Sequence, residues 1–365
     1  MVITGAVNVL VEIKLEFRME EMMKRMKKLA LAALCLIMAM AFLACKGSGD
    51  TTGSGKIKIY FIPNNLGNPY FDALSSGFEQ AIAELGADKF EYYYVGPASA
   101  GATDQIEYIE AAVQNKAFAI FLAANSEDAL NATLDDARKA GVRLYIINQD
   151  IPGSESHRDA AIMPVDFGTI GDAQIELMGG YINYEGEIAI LSATTSAPDQ
   201  NTWIEGMKKA LANPKYAKMK LVDVVYGDDQ PEKSTTEMEA LLNKYPDLRG
   251  VICPTTVGIA AATKVVQTRK VADKVKVTGL GLPSEMKQYV EDGTSPGFQL
   301  WDPPKEGYLA VYMCWEEKNG SFKPAPGASF NAGKYGSITI RSNGWVMALE
   351  EPKTFDNTNL ADFVY

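Results

Sequence analysis

This chain of 365 residues has almost no histidine. It also lacks the glycine-rich motifs of nucleotide-binding proteins and, downstream of its N-terminal segment, runs of basic residues. His157 is the one histidine, and the polar residues around it indicate a solvated loop. The sequence has no G-x-S-x-G nucleophile elbow, no P-loop and no dinucleotide-binding fingerprint. Neighbouring acids such as Asp228-Asp229 are typical of surface turns. We therefore expect no enzyme, no catalytic residues and no cofactor.

Positive charge is also scarce, because 35 Lys and Arg face 46 Asp and Glu and leave a net charge of −11. Downstream of the N-terminal segment, no run of Lys or Arg interrupts the acidic body. An acidic surface repels nucleic acid and anionic lipid. The charge pattern therefore predicts no nucleic-acid partner.

Cysteine is rare as well, and two of the four cysteines, Cys35 and Cys45, lie in the N-terminal segment. The other two, Cys253 and Cys314, lie at a predicted strand end and on a predicted helix. Two unpaired buried thiols are the favoured interpretation, although an oxidising compartment would allow them to pair. No Cys/His cluster has the spacing of metal ligands, so we predict no metal site.

The N-terminal segment has the parts of a secretory signal peptide. Lys27 and Lys28 form a basic start, residues 29–44 are apolar, and small residues precede Cys45. The apolar run is shorter than the ~20 residues that a membrane-spanning helix needs. We predict a signal peptide over residues 1–44, with translation starting at Met1 or Met26.

The residues on either side of Cys45 indicate how the mature chain begins. Phe42-Leu43-Ala44-Cys45 resembles a lipoprotein signal box, in which the cysteine is lipidated and starts the mature chain. A Gly/Ser-rich tract follows, and such tracts are flexible tethers, so we assign residues 45–55 to the lipidated cysteine and its tether. The predicted location is the periplasm or the cell surface, with Cys45 anchored in the membrane by lipid. An uncleaved N-terminal membrane anchor is the alternative.

From Lys56 onward, short apolar runs alternate with helical patterns, which indicates βαβ units and parallel sheets. The predicted strands are 56–63, 90–95, 117–124, 142–147, 187–193, 221–226, 250–254 and 275–280. The rhythm restarts near residue 187, so the chain contains two similar series. This pattern predicts an α/β fold made of two doubly wound parallel-sheet lobes.

Ligands of such sheets bind outside the carboxyl ends of the strands. The segments at those ends are rich in carboxylates, amides, hydroxyls and aromatic rings, which suit a polyhydroxylated small molecule. They are residues 64–71, 148–150, 196–201, 255–256 and 297–302. A single Asn or Asp in such a place is as often a turn former or a helix N-cap. Several loops of this kind together favour a binding site.

These segments resemble periplasmic sugar-binding proteins of the ribose-binding type (type I periplasmic binding proteins), in the branch of rhamnose-binding and autoinducer-2-binding proteins. The resemblance is carried by Asn68-Pro69-Tyr70-Phe71, Asp199-Gln200-Asn201 with Trp203, Leu300-Trp301-Asp302 and the closing segment 346–365. It extends from about Lys56 to Tyr365.

The resemblance implies particular roles for residues at the strand ends. Phe71 and Trp301 match the aromatic walls of the family's ligand site. Asp199 and Gln200 stand where autoinducer-2 binders make two side-chain contacts, and Pro254 stands where they make a backbone contact.

Three other positions differ from the autoinducer-2 binders. Asn64, Asn148 and Thr256 stand where those proteins have Lys, Asp and Ala. Losing a cation and an anion together favours a neutral polyol. The complete predicted ligand site consists of Asn64, Tyr70, Phe71, Asn148, Asp150, Asp199, Gln200, Pro254, Thr256 and Trp301.

The resemblance also implies a three-crossing hinge with the ligand in the cleft between the lobes. We expect crossings near 164–167, near 299–302 and after about residue 333. The first lobe is predicted to contain 56–164 plus 301–332, and the second lobe 165–300 plus 333–365.

The function that follows is that of an extracytoplasmic solute-binding lipoprotein of an ABC importer. It is expected to bind a rhamnose-like or other neutral monosaccharide by domain closure, and to act as a monomer with an ABC permease and its ATPase. The alternative is an autoinducer-2-binding or sugar-sensing receptor of the same fold that feeds a chemoreceptor or a sensor kinase. A transcription repressor of this architecture would need a helix-turn-helix and a basic face, which the sequence lacks.

Overall fold

The structure is a computed structural model, and it describes residues 55–349 and 351–360. The predicted signal peptide, Cys45 and the predicted tether up to residue 54 lie outside the described residues. No helix within the described ranges is long and apolar enough to cross a membrane.

Six strands form one parallel sheet in the first lobe: β1 (Ile57–Ile62), β2 (Phe90–Tyr94), β3 (Ala119–Leu122), β4 (Arg143–Ile147), β5 (Ala160–Met163) and β13 (Trp345–Met347). Their order across the sheet is β13-β5-β4-β3-β1-β2. β3 and β5 are buried along their whole length, as expected for parallel strands covered by helices on both faces. The helices of this lobe are α1 (Pro69–Leu85), α2 (Ile106–Gln114), α3 (Asn131–Lys139) and α9 (Pro303–Lys318).

The second lobe has a smaller parallel sheet in the order β7-β6-β8-β9, whose strands are β6 (Gly186–Ser192), β7 (Met219–Tyr226), β8 (Leu248–Cys253) and β9 (Lys276–Gly279). A parallel bridge from Leu280 to Gln299 links it to β10 (Phe298–Leu300), which pairs antiparallel with β14 (Lys353–Phe355). The helices of this lobe are α4 (Phe167–Ile182), α5 (Pro198–Leu211), α6 (Pro231–Lys244), α7 (Thr256–Arg269) and α8 (Pro283–Glu291). The predicted fold class, an α/β protein with two doubly wound parallel-sheet lobes, is confirmed.

The chain passes between the lobes three times, and the third passage corrects a predicted boundary. The first two crossings lie between β5 and α4 and between β10 and α9, close to where the sequence predicts them. The sequence predicts residues 333–365 in the second lobe, but β13 pairs with β5 at the edge of the first-lobe sheet. The chain therefore crosses only after Met347. This third crossing runs beside the first, since Ala348 N donates to Met163 O and Leu349 N to Pro164 O, both at 2.8 Å.

A short antiparallel hairpin lies between α9 and β13. Its strands are β11 (Ser329–Asn331) and β12 (Ser337–Thr339), and β11 contacts α9. The Tyr308 ring of α9 meets the Tyr335 ring in the hairpin edge-on, with 5.1 Å between centroids. The hairpin therefore belongs to the first lobe as well.

The two cysteines of the folded body do not form a disulfide. Cys253 and Cys314 are both buried and unpaired, one in β8 and the other in α9. Burial raises the pKa of both thiols. They are packing residues without thiolate character at neutral pH.

Helices α1 and α9 approach each other at backbone distance because each presents a glycine to the backbone of the other. A Cβ on Gly307 would lie 2.3 Å from Leu74 O and 2.7 Å from the Phe78 ring, and a Cβ on Gly77 would lie 1.8 Å from Pro304 O. Real Cβ atoms do not approach backbone atoms so closely. This contact positions the first turns of both helices, which carry Tyr70 and Glu306.

We expect Gly307→Ala to destabilise the protein by about 1–3 kcal/mol, because the added methyl group overpacks the contact between α1 and α9. The effect opposes the gain of about 1 kcal/mol in helix propensity that alanine normally brings. The control is Gly180→Ala in α4, where a Cβ would meet no atom within 4 Å. Urea unfolding of both variants measures the difference. Equal stability of the two variants would contradict the close helix contact.

Candidate ligand-binding site

A cavity lies between the lobes at the carboxyl ends of the strands. It contains about 370 Å³ of space outside the protein atoms, part of it open to solvent. The lining comes from both lobes and from the second crossing. It consists of Asn64, Asn68, Tyr70, Phe71, Asn148, Asp199, Gln200, Trp203, Asp229, Pro254, Thr255, Thr256, Leu280, Leu300 and Trp301.

All but one of the ligand-site residues predicted from the sequence line this cavity. They come from five separate segments and meet because the carboxyl ends of neighbouring parallel strands share one edge of each sheet. The lining members of the predicted set are Asn64, Tyr70, Phe71, Asn148, Asp199, Gln200, Pro254, Thr256 and Trp301.

Aromatic rings from both lobes meet at Trp301, which lies on the second crossing. Its ring packs edge-on against Tyr70 of α1, with 6.4 Å between centroids, and against Trp203 of α5 at 5.8 Å. Trp203 is buried, and its Nε1 has no hydrogen-bond partner in the structure. The rings offer apolar faces to a ligand, and the Trp203 N–H offers a donor.

The Tyr70 hydroxyl is the centre of a buried hydrogen-bond network. It accepts from Trp301 Nε1 at 2.7 Å and donates to Asn148 Oδ1. Asn148 reaches this position with a left-handed φ of 72°, which asparagine tolerates better than most residues. Glu306 Oε1 lies 3.2 Å from the same hydroxyl. The network joins the first lobe to the second crossing.

Glu306, in the first turn of α9, was not predicted from the sequence. Its carboxyl is fully buried, and its Oε2 has no hydrogen-bond partner in the structure. Burial raises the pKa of Glu306 well above its ordinary value, which favours the uncharged acid. No sequence signal marks this residue, because it reaches the site only through the packing of α9 on α1.

Asp199 lies in the first turn of α5 and not at its N-cap, which is Ala197. Its Oδ1 accepts a hydrogen bond from Gln200 N at 2.7 Å. Burial raises the pKa of Asp199 to about 7, and the charge of Asp229 adds to the increase. Ionisation of this buried carboxyl therefore costs free energy, and hydrogen-bond donors from a ligand would reduce that cost.

Gln200 is held in place by the strand that precedes it. Its Oε1 accepts from Ser192 Oγ at 2.6 Å and from Ala193 N at 2.7 Å. With this oxygen occupied, the amide NH₂ is the group that Gln200 can offer to a ligand.

Asp229 lines the cavity, although the sequence predicts a surface turn at Asp228-Asp229. The adjacent Asp228 is half-buried and pairs with Lys233 at 2.5 Å, as expected of a turn acid. Asp229 is instead buried, and its Oδ1 accepts from Thr255 Oγ1 at 2.5 Å. Burial raises the pKa of Asp229 to about 6. Its position after β7 was the signal that could have identified it.

Two asparagines of the first lobe complete the polar lining. Asn64 Nδ2 donates to Ala123 O at 3.0 Å and to Asn125 Oδ1 at 2.7 Å. Asn68 caps α1 by accepting from Tyr70 N at 3.0 Å, and its Oδ1 also lies 3.5 Å from Thr256 Oγ1 of the second lobe. This last contact joins the two lobes across the cavity.

Asp150 is the predicted site residue that the structure places elsewhere. Both of its carboxylate oxygens are bonded by Arg158 at 2.5 Å, and Trp345 Nε1 donates to Oδ2 at 2.6 Å. Ile151 N donates to Oδ1 at 2.9 Å. The prediction of a ligand contact at Asp150 is corrected, because these partners hold the carboxylate in the core at the β13 edge.

The charge of the cavity has one sign. Among the described residues that line it there are two Asp and no Lys, Arg or His. Over the described part of the chain, no group of three or more His, Cys, Asp or Glu side chains is placed to hold a metal ion. The arrangement offers hydrogen-bond acceptors, a few donors and aromatic faces.

Comparison with known proteins places the chain in a family. A family described as "Periplasmic binding protein domain" matches residues 59–321, which is more than half of the chain. A sugar ABC transporter structure from Actinomyces odontolyticus is 37% identical with a TM-score of 0.66, and the match covers 86% of this chain and 100% of that chain.

Two further relatives are similar over most of the chain. An ABC transporter solute-binding protein from Clostridium phytofermentans, solved with bound L-rhamnose, is 33% identical with a TM-score of 0.78, over 85% of this chain and 98% of that one. The D-ribose/D-allose-binding protein of Pseudomonas aeruginosa is 25% identical over 269 residues, or 72% of this chain and 82% of the relative. The resemblance found in the sequence is confirmed, and the chain belongs to the periplasmic binding protein family.

Proposed function

We propose that this protein binds a neutral monosaccharide between its lobes and delivers it to an ABC permease and its ATPase. A 6-deoxyhexose such as rhamnose ranks ahead of ribose and autoinducer-2. The observation that carries the proposal is the lining of the cavity, where carboxylate and amide groups face aromatic rings and no cation is present among the described lining residues. Sugar hydroxyls pair with the former, and the C–H faces of a sugar ring pack on the latter.

The likeness to relatives supports the same ligand class. The Clostridium phytofermentans protein was solved with L-rhamnose, and it is 33% identical to this chain. The methyl group of a 6-deoxyhexose would suit the apolar part of the lining, which includes Leu280, Leu300 and Phe71.

Domain closure is the proposed mechanism of capture. The three crossings join the lobes, and Thr256 Oγ1 of the second lobe lies 3.5 Å from Asn68 Oδ1 of the first. A ligand that contacts both lobes stabilises the closed arrangement by as much as it prefers that arrangement over the open one. The joined outer surface would then be the form that the permease recognises.

A receptor for autoinducer-2 is the second candidate. Against it, Asn64 and Asn148 stand where autoinducer-2 binders carry a Lys and an Asp, and both are engaged with protein partners, Asn125 and Tyr70. Sensing of a sugar through a chemoreceptor or a sensor kinase would use the same closed form, and it is compatible with uptake.

Calorimetric titration with L-rhamnose, D-ribose and autoinducer-2 tests the proposal. We expect L-rhamnose to bind most tightly and to raise the melting temperature, since a ligand that binds only the folded state stabilises it. Tight binding of autoinducer-2 without a response to any neutral sugar would reverse the ranking.

We also propose that the mature protein starts at a lipidated Cys45 and is anchored outside the cytoplasm. The expected result for Cys45→Ser is release from the membrane fraction or retention of an uncleaved leader. Cys35→Ser, within the apolar run, is the matched control and should leave processing unchanged. Membrane fractionation with a mass measurement of the mature chain decides. A Cys45→Ser protein that stays in membranes at the normal mature size would exclude the lipid anchor.

A further inference from the structure

Two carboxylates face the cavity from neighbouring loops of the second lobe. Asp199 follows β6 and Asp229 follows β7, and these strands are adjacent in the parallel sheet. Both side chains are buried, and the charge of Asp229 acts on Asp199 strongly enough to raise its pKa. The two groups therefore lie in one electrostatic environment.

Neither acid is compensated by a cation from within the cavity. Among the described lining residues none is basic, and Asp228, next in the chain to Asp229, has its own ion pair with Lys233. On its outer side Asp229 borders a surface groove with Glu232 of α6, Lys264 of α7, and Glu285 and Tyr289 of α8. Among the described residues that line this groove, Lys264 is the single basic one, and burial raises the pKa of Glu285 to about 7.

The hydrogen bonds that hold Asp229 leave acceptor capacity on its carboxylate. Thr255 Oγ1 donates to Oδ1, whereas a carboxylate can accept about four hydrogen bonds. Asp199 also has acceptor capacity left, since Gln200 N donates to its Oδ1. Two buried acceptors in a cavity without cations require donors, and the hydroxyls of a polyol are the donors that a neutral sugar supplies.

We propose that Asp229 is a second carboxylate of the ligand site, which together with Asp199 accepts hydrogen bonds from separate hydroxyls of the bound sugar, and that the pair excludes sugar acids. This inference rests on the proposed function. It assigns a specificity-determining role to a residue outside the set implied by the sequence resemblance.

The pair gives binding a defined dependence on pH. Donors from the ligand favour the ionised carboxylates, whose pKa values in the ligand-free protein are raised to about 7 and about 6. Lowering the pH from 8 to 5 protonates both groups and should weaken binding tenfold or more. Binding near pH 6.5 should release protons, because the ligand lowers both pKa values.

The variants Asp229→Asn and Asp228→Asn form a matched pair. Both positions have left-handed backbone, with φ of 51° and 53°, which asparagine tolerates. Titration with L-rhamnose at pH 8 should show Asp229→Asn weakened about 10- to 150-fold, the range for losing a hydrogen bond to a charged group. Asp228→Asn should bind within about twofold of the wild type, because its side chain faces solvent.

Folding of the variant is checked without ligand. The raised pKa means that the folded wild type holds the Asp229 proton more tightly than the unfolded chain does, so stability is lost as the pH rises through about 6. At pH 8 Asp229→Asn should therefore melt at or above the wild-type temperature, with the difference vanishing near pH 4.

Three outcomes would overturn the inference. One is an Asp229→Asn protein that binds L-rhamnose as tightly as Asp228→Asn does at pH 8. Another is wild-type binding that neither weakens at pH 5 nor releases protons. D-glucuronate or D-galacturonate binding more tightly than its neutral parent sugar would also contradict it. If no neutral sugar binds the wild type at pH 8, the proposed function fails and the inference falls with it. The two failures are distinguishable. If the proposed function is wrong, the wild type itself binds no neutral sugar, whereas if only the inference is wrong, the wild type still binds one.

Discussion

Asp199→Asn is expected to weaken binding of a neutral sugar about 10- to 150-fold while the protein stays folded. The carboxylate lines the cavity, is buried and has one oxygen engaged by Gln200 N. Replacing an ionised acceptor of a buried hydroxyl by a neutral amide removes a hydrogen bond worth about 1.5–3 kcal/mol. Isothermal titration with L-rhamnose at pH 8 measures the loss.

The same substitution separates a ligand contact from a structural role. The pKa of Asp199 is raised from 3.8 to about 7, so the ionised wild-type side chain costs folding free energy above pH 7. Asp199→Asn should therefore be no less stable than the wild type at pH 8. Glu205→Gln on the same helix is the control, since its exposed carboxylate pairs only with Lys208 at 2.7 Å. A lower melting temperature with unchanged affinity would show that Asp199 serves the fold and not the ligand.

Arg158→Met is expected to destabilise the protein by about 3–5 kcal/mol, the typical cost of leaving a buried charge without its partner. Arg158 and Asp150 are both buried and form a two-point ion pair. Without the guanidinium, Asp150 keeps only neutral donors, Ile151 N and Trp345 Nε1. Urea unfolding at pH 7 provides the measurement.

The control for this prediction is Arg138→Met. Arg138 pairs with Asp159 at 3.6 Å from a partly exposed position, so its loss should cost no more than about 1 kcal/mol. The folded fraction of Arg158→Met should bind sugar with wild-type affinity. Weakened binding at unchanged stability would restore Asp150 to the ligand site.

Much of the site was predictable from the sequence because of one geometric rule. Parallel strands bring their carboxyl ends to one edge, so residues after β1, β4, β6 and β8 meet there although they are far apart in the chain. The rule does not say which of two neighbouring side chains faces the cavity. Asn148 and Asp150 follow the same strand, yet only Asn148 lines the cavity. Asp228 and Asp229 both follow β7, and of the two only Asp229 is buried.

Other features depend on contacts that periodicity does not encode. Glu306 lies 3.2 Å from the Tyr70 hydroxyl because Gly307 allows α9 to pack closely on α1. β13 has only three residues, too few for an alternating pattern to be recognised. Its partner β5 lies about 180 residues earlier in the chain, so the lobe boundary follows from tertiary pairing.

The pairing of β13 with β5 also constrains the order in which the protein acquires its structure. Strands β1–β5 and strands β6–β9 are each contiguous in sequence, so the centres of both sheets can assemble from nearby parts of the chain. Three further elements depend on contacts between distant parts of the chain. Helix α9 packs on α1 from more than 200 residues away, and β13 and β14 follow all the strands with which they pair. Such distant contacts form slowly, because the entropy of closing a long loop is lost before the contacts contribute stabilising energy. β5 and β10 therefore each keep one edge unpaired until β13 and β14 join them.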